Sequence, residues 1–443
     1  MIELEELSFL EKRSYHKKLI NLETTFKKTV LKNGLRVVTE SVKDRASVHL
    51  GLHLLWGSRN EPVQMAGAAH LIEHMVFKGT AKRNSYEIAR DIESVGGEIG
   101  ASTGKEMTSY TVQCLAKDLK LGVDILADLT LGAKFTEEEF VKEKDVVLSE
   151  ISMTAESFEE SVFDFAFEEI FKENALARPI LGTEKSVESI KCKELFDLYQ
   201  RTYVPSKMVL SISGDVDHEQ VVSFAEEFFG SNNNSLGKEY QESLKGEFHA
   251  GIKSVTKNSE QAHVLINFPA PAYPDQSRYV AYIANLALGG GMTSVLYQKI
   301  REDLGLAYSV YSYLQCFLHE GVLSIYVGTK PDKALDVVSV VVDEINKFTN
   351  EGWREEQLNL YREQLLGEII MGQDDLDSRM NSIGLNELVF EAYRSPEQVV
   401  SEIKSIDTEQ MNEYFSKYFT KEPNIFVLAP RVPAPVSGNS AAE

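Results

Sequence analysis

Apolar and polar positions recur at two different spacings along this chain, and the spacings divide it into strands and helices. Ser47–Leu54 (SVHLGLHL) places apolar side chains at every second position, as a strand with one buried face does. Just before it, Val30 and Leu31, then Leu35, Val37 and Val38, flank Asn33-Gly34, which predicts a hairpin with a tight turn. From Ala66 to Phe77 the spacing becomes helical. Ser85 can cap another helix, with Ile88, Ala89, Ile92 and Val95 on one side and Gly96-Gly97 ending it. Residues 107–116 alternate again and 117–131 read as a helix. Thr136 followed by three glutamates opens a further helix carrying Phe140, Val147, Leu148 and Ile151. Helices over 155–172 and 184–202 and a strand over 208–213 follow.

A polar stretch without apolar periodicity, 231–246, places a linker over 231–250. After it the order recurs. A strand spans 263–268, a helix 276–288 and another 293–304. Two strands fall within 308–328, helices within 331–348 and 354–372, and a last strand over 425–429. The pattern predicts a duplicated α+β unit, with domains over 21–230 and 251–432 and an extra opening strand pattern in the first. A charged arm over 1–20 and a disordered tail over 433–443 complete the expected organisation. Little residue identity links the halves, so the duplication rests on pattern alone.

Composition narrows the function classes. The chain has 443 residues, 43% hydrophobic and 26% charged, a globular mixture. Asp and Glu number 68 against 46 Lys and Arg, a net charge of -22 that repels phosphate backbones and disfavours a nucleic-acid partner. Because no apolar run reaches 18 residues, no membrane insertion is expected. The N-terminus lacks a signal or transit pattern, so the expected location is cytoplasmic. Cys114, Cys192 and Cys316 are few and widely spaced, and are expected to be reduced thiols rather than disulfides or thiolate metal ligands.

The chemistry concentrates in Ala66–Phe77, AGAAHLIEHMVF. On a helix, each residue advances about 100°, so His70, Glu73 and His74 share one face. Two imidazoles at i and i+4 can bind one zinc ion, and the acid between them can take a proton from a water activated there. Leu71, Ile72, Met75, Val76 and Phe77 make the rest of the helix apolar, where two His and a Glu would be a costly choice without a metal. His49 and His53 are also four apart, but on a strand, where four residues span about 13 Å. One ion cannot bridge that distance, so they read as structural. A third ligand should be a carboxylate or a third His. Glu143 and Glu150, seven apart on the Thr136 helix, offer one ligand and one group that orients a ligating His; spacing does not choose between them. Glu137, Glu138 and Glu139 read as a solvated helix start. Gly289-Gly290-Gly291 lacks the strand and Lys-Ser/Thr of a phosphate loop and reads as a helix end or hinge.

Over about Thr29 to Ala429 the sequence resembles the inverzincin metallopeptidases of family M16, which include pitrilysin, insulin-degrading enzyme and mitochondrial processing peptidase. Its size matches the processing-peptidase-like bacterial subfamily. The resemblance is carried by GAAHLIEHMVFKGT (67–80), EKDVVLSEI (143–151), PILGT (179–183) and LYQKIR through GLAYSV (296–310). It implies two homologous α/β-sandwich domains with mainly antiparallel sheets packed with helices. It implies His70, His74 and Glu150 as ligands of one Zn2+ per chain, Glu73 as general base and Glu143 as the acid behind a ligand. Arg301 and Tyr308 match a pair that binds substrate near the scissile bond, and a peptide is expected to add as a strand along Gly100, Ala101, Ser102 and Thr103. Gly100 departs from the family, which commonly has Asn there; from the residues alone it reads as a bulge or a close backbone approach. The implied activity is zinc-dependent endopeptidase action on unfolded peptides or flexible precursor segments, by a homodimer. The alternative is an inactive or heteromeric subunit that serves as scaffold or peptide-binding module.

Overall fold

The computed structural model describes residues 24–232 and 245–431. The arm over 1–20, most of the linker and the tail over 433–443 lie outside the described residues. The Asn33-Gly34 turn joins β1 (Thr24–Val30) to β2 (Arg36–Val42) as an antiparallel hairpin. Gly34 sits at φ 88, which favours glycine, and its N–H donates to Leu31 O at 2.9 Å. The chain continues through β3 (Ser47–Leu54), α1 (Ala68–Val76), α2 (Ser85–Glu93), β4 (Glu98–Thr103), β5 (Thr108–Leu115), α3 (Leu119–Gly132) and α4 (Glu137–Glu156). Next come α5 (Phe158–Phe171), α6 (Glu184–Ser189), α7 (Cys192–Thr202), β6 (Met208–Gly214) and α8 (His218–Phe229). After the linker lie β7 (Gly251–Thr256), β8 (Ala262–Ala270), α9 (Arg278–Gly289), a π-helical turn (Tyr297–Asp303), β9 (Ala307–Cys316) and β10 (Gly321–Thr329). Helices α10 (Ala334–Glu351), α11 (Glu355–Gly372), α12 (Leu376–Phe390), α13 (Pro396–Lys404) and α14 (Thr408–Tyr418) precede β11 (Asn424–Ala429).

Two expected helices change form. The helix over 184–202 is broken into α6 and α7, because Ile190 and Lys191 are extended. Lys144 Nζ holds the break, donating to Glu188 O at 2.7 Å and Ile190 O at 3.0 Å. The helix over 293–304 is the shorter π-helical turn. The glycines at 289–291 end α9.

The fold is α+β and builds two sheets. One runs β1-β2-β6-β3-β5-β4 and the other β7-β11-β8-β10-β9. Strip β1 from the first and the pairing senses coincide: β2 with β6 and β7 with β11 are parallel, and every other neighbour is antiparallel. The duplication read from the pattern is therefore a duplication of topology.

The chain forms two compact units, neither contiguous in sequence. The first holds 24–151, 179–232 and 366–401; the second holds 152–178, 245–365 and 402–431. This departs from a division at one linker: each unit takes a helix from the other half of the sequence. In the first, α12 covers one face of the sheet, packing on β6, β3 and β2. In the second, α5 packs on β11 and β8. The apolar side chains Val48, Leu50, Leu52 and Leu54 of β3 form the other face of the first sheet and are buried with Leu71, Ile72, Met75 and Val76 of α1 and with α3. Each such side chain contributes roughly 1.5–3 kcal/mol by leaving water. His49 and His53 sit on the opposite face; His53 is buried and bonded to Ser211 Oγ at 2.8 Å. The three cysteines are free thiols. Among the described residues no helix is long and apolar enough to cross a membrane.

Candidate metal centre

Helix α1 begins where the chain cannot carry a side chain. Gly67 takes φ 94, and a Cβ there would lie 2.5 Å from Leu181 O. Gly182, at φ 75, approaches from the other side, where a Cβ would lie 2.4 Å from Ala66 O. Ser186 Oγ donates to Ala66 O at 2.8 Å. The PILGT segment is thus the buttress of the helix start. Glu61 finishes it: its carboxylate accepts the N–H of Gly67 at 2.9 Å and of Ala69 at 2.6 Å. Sequence reasoning missed Glu61, because its partners are backbone donors that leave no side-chain pattern.

From this start the apolar residues of α1 turn inward, and His70, Glu73 and His74 are left partly exposed. The two imidazole rings lie 4.6 Å apart. Helix α4 brings both of its candidate acids to them. Glu150 Oε2 is 3.7 Å from His70 Nε2 and 3.7 Å from His74 Nε2. Among the described residues this is the one group of three or more His, Cys, Asp or Glu side chains whose donor atoms converge, all within 4.8 Å. A tetrahedral zinc ion with ligand bonds of about 2.0–2.2 Å needs donors about 3.4 Å apart. The His2Glu set therefore fits zinc in both chemistry and spacing.

Glu143 reaches the other nitrogen of His74. It is 6% exposed; its Oε2 is 3.1 Å from His74 Nδ1 and its Oε1 is 2.7 Å from Lys78 Nζ. A carboxylate on Nδ1 keeps the proton there and turns Nε2 toward Glu150. Geometry thus separates the two acids that spacing left equivalent. Lys78, unassigned in the sequence, is the charge that allows Glu143 to be buried as a carboxylate. His70 Nδ1 is buried with no hydrogen-bond partner among the described residues. Burial, with His74 beside it, lowers the His70 pKa to about 4, so the ring is neutral and free to ligate at neutral pH.

Glu73 stands next to the triad. Burial raises its pKa, opposed by a hydrogen bond donated from Thr103 Oγ1 to its Oε2. Thr103 ends β4, which among the described residues is an edge strand paired only with β5. The expected peptide-binding segment Gly100–Thr103 is therefore an open edge that leads to Glu73. Alternation along β4 puts Ala101 and Thr103 toward α1 and Gly100 on the opposite face with Thr111. Gly100 is neither a bulge nor a close approach. The β4–β5 register runs unbroken through Gly100↔Thr111, and a Cβ there would meet only Thr111 Oγ1, at 3.4 Å.

Arg301 and Tyr308 belong to the second unit, where the structure brings them together. The Arg301 guanidinium lies 4.9 Å from the Tyr308 ring centre and 4.9 Å from that of Tyr297. Tyr308 is the extra residue of a β-bulge, since Ala307 pairs with Thr329 and Ser309 with Gly328. The bulge aims its ring outward, 80% exposed.

Known proteins resemble the chain throughout. The sequence pattern of the insulinase family (peptidase family M16) matches residues 36–184, and that of the peptidase M16 inactive domain matches 189–365. An uncharacterised zinc protease of Mycobacterium leprae is 35% identical over 407 residues, 91% of each chain. The uncharacterised zinc protease YmxG of Bacillus subtilis is 31% identical over 407 residues, 91% of this chain and 98% of that one. A protease from Helicobacter pylori has the same fold, with a TM-score of 0.87 at 20% identity over 92% of this chain and all of that one. A peptidase M16 inactive domain from Pseudomonas fluorescens gives 0.85 at 17% identity, covering 92% and 99%. With a zinc-protease relative aligned over nine-tenths of its length and both M16 patterns matched in order, the chain belongs to peptidase family M16.

Proposed function

We propose that this protein is a zinc-dependent endopeptidase that hydrolyses unfolded peptides or flexible precursor segments. The observation that carries the reading is the convergence of His70, His74 and Glu150 beside the partly buried carboxylate of Glu73. His70 and His74 through Nε2, and Glu150 through its carboxylate, would hold the ion. When bound, zinc supplies Lewis acidity, which makes water nucleophilic near neutral pH and polarises a carbonyl. Glu73 takes the proton of the attacking water and gives it to the leaving amine; Thr103 fixes its Oε2 and leaves Oε1 for that exchange. The burial that raises the Glu73 pKa suits an acid that must accept a proton and release it in one turnover. Glu143 holds His74 in orientation. The β4 edge takes the peptide as an added strand, in which main-chain bonds give affinity across many sequences. Arg301 and Tyr308 are assigned to bind the peptide. The resemblance to processing peptidases supports a homodimer.

The test is cleavage of a long unstructured peptide by the zinc-loaded chain and by Glu73→Gln, read by mass spectrometry. Wild type should cleave, and the variant should keep one zinc per chain while losing at least about a thousandfold in rate, the order typical of losing a general base. Activity within tenfold of wild type in Glu73→Gln would remove the assigned base. Bound zinc with no cleavage by wild type would favour a peptide-binding subunit.

A further inference from the structure

Two irregularities of the second unit meet at one arginine. Apolar spacing over 293–304 predicts a regular helix, yet the chain there forms the π-helical turn Tyr297–Asp303. Such turns are rare and frequent at functional sites. Shortly after it, β9 gives up regular pairing at Tyr308 to form its bulge. Both departures bring a ring to the Arg301 guanidinium, Tyr297 from the turn and Tyr308 from the bulge, each with its centre 4.9 Å away.

The surroundings hold this arrangement still. Leu296 and Ile300, the residues before Tyr297 and Arg301, are fully buried. Leu306 N donates to Ile300 O at 2.9 Å and Thr329 Oγ1 donates to Leu306 O at 2.5 Å, which pins the return of the chain from the turn to β9. The guanidinium itself is unused. It is 35% exposed and donates no hydrogen bond among the described residues; the Glu302 carboxylate is 3.8 Å from its Nε, too far for one. Attraction to the rings holds the group in place while its N–H donors stay available to oxygen. The Tyr297 hydroxyl also makes no hydrogen bond among the described residues, so the ring is what this position supplies. Tyr308 is 80% exposed and has little packing to fix it, whereas Tyr297 is half-buried in the turn.

We propose that Tyr297 is a positioning residue for peptide binding: its ring holds the Arg301 guanidinium ready for oxygen acceptors of the peptide main chain. A long side chain ordered beforehand loses less entropy when the ligand arrives. The proposal rests on the reading of Arg301 as a peptide-binding residue. A merely structural tyrosine would change peptide affinity equally with and without Arg301, whereas a positioning one acts only through Arg301.

The experiment titrates a fluorescein-labelled unstructured peptide with the full zinc-loaded chain carrying Glu73→Gln, so that no cleavage intervenes, and reads anisotropy. In that chain Tyr297→Leu should weaken binding about fivefold and Tyr297→Phe less than about twofold. With Arg301→Ala already in place, Tyr297→Leu should change affinity less than about twofold. An equal loss with and without Arg301 overturns the proposal, and so does unchanged affinity in Tyr297→Leu. If Tyr297→Leu does not fold, ring fluorination decides: Tyr297→Phe bearing one to three ring fluorines keeps the shape and weakens the hold on a cation step by step. Affinity should fall along that series, and a flat series overturns the proposal. Cleavage with Glu73 intact tests the separate reading. Binding that follows the expected pattern without any cleavage would support Tyr297 and sink the peptidase, whereas no peptide binding by any of these chains would overturn the role of Tyr297.

Discussion

The two units repeat one pairing order, yet their chemistry differs. In the first, the helix after β3 is α1, AAHLIEHMV; in the second, the helix after β8 is α9, RYVAYIANLALG. Both bury an apolar face, but only α1 places His70, Glu73 and His74 at its remaining positions, and only the first unit supplies acids from a neighbouring helix to meet them. The edge strands diverge too. β4 ends in Thr103 bonded to the Glu73 carboxylate, while β9 opens with a bulged, exposed Tyr308 stacked on Arg301. The frame is a scaffold that either unit can build; the candidate metal centre depends on three side chains, His70, His74 and Glu150, and their support. No metal cluster occurs among the described residues of the second unit.

The sharpest way to break this contrast is to erase the ligand set. Glu150→Gln should lose zinc and with it at least about a thousandfold in activity, leaving a first unit as metal-free as the second. Zinc content by mass spectrometry of the native protein checks it, and full zinc content would move the third ligand elsewhere. Glu143→Gln probes the support. It keeps a hydrogen-bond acceptor near His74 but removes the carboxylate paired with Lys78, and should cost about 10–100-fold in zinc affinity or activity. Loss below threefold would make Glu143 a fold residue only.

The faces beneath the two exchanged helices offer a second contrast. His53 lies under α12, where a Cβ on Gly384 would come within 2.4 Å of its ring. His263 lies near Phe158 of α5 and is bonded to Tyr326 at 2.8 Å. Burial lowers both, His53 to about 4. Because the fold favours neutral His53, the burial carries no charge penalty above pH 6.5. As pH falls from 6.5 toward 4, the unfolded chain takes up a proton that the fold refuses, and stability drops. At pH 5 the loss is about 2 kcal/mol. Urea midpoints at pH 7 and pH 5 should show that drop in wild type and a smaller one in His53→Gln; equal drops would assign the pH dependence elsewhere.

How far these features could be read from sequence depends on where their partners lie. His70, Glu73 and His74 are legible because one helix turn brings them together, and the Asn33-Gly34 hairpin because its turn is local. Helix α12 was not predicted, for two physical reasons. Its buried side mixes Leu376, Met380, Ile383 and Leu388 with charged residues, Arg379 paired to Glu40 at 2.8 Å and Glu387 against Lys28 at 2.7 Å, so apolar periodicity is weak. Nothing local states that it covers the sheet of the other half of the sequence. Glu61 contacts backbone donors six and eight residues on, and those have no residue code. The resemblance paired Arg301 with Tyr308, but the bulge that turns Tyr308 outward is a register event between β9 and β10 that neither strand announces alone.

That bulge supports the smallest effect and the most direct test of the second unit's share in the reaction. A bulge sacrifices regular pairing at one residue, and here the residue gained is an exposed aromatic with a guanidinium on its face. If the hydroxyl binds substrate, Tyr308→Phe should keep the ring and its contact with Arg301 and lose one hydrogen bond, lowering kcat/KM by about 3–10-fold. Zinc affinity and melting temperature should stay at wild-type values, because the residue is 80% exposed and outside the metal set. Tyr308→Ala removes the ring as well and should lose more, mainly in KM. Should Tyr308→Phe match wild type while Tyr308→Ala falls, the ring and not the hydroxyl carries the role. If both match wild type, the second unit gives the reaction nothing through this pair, and the difference between the two units widens from chemistry to participation.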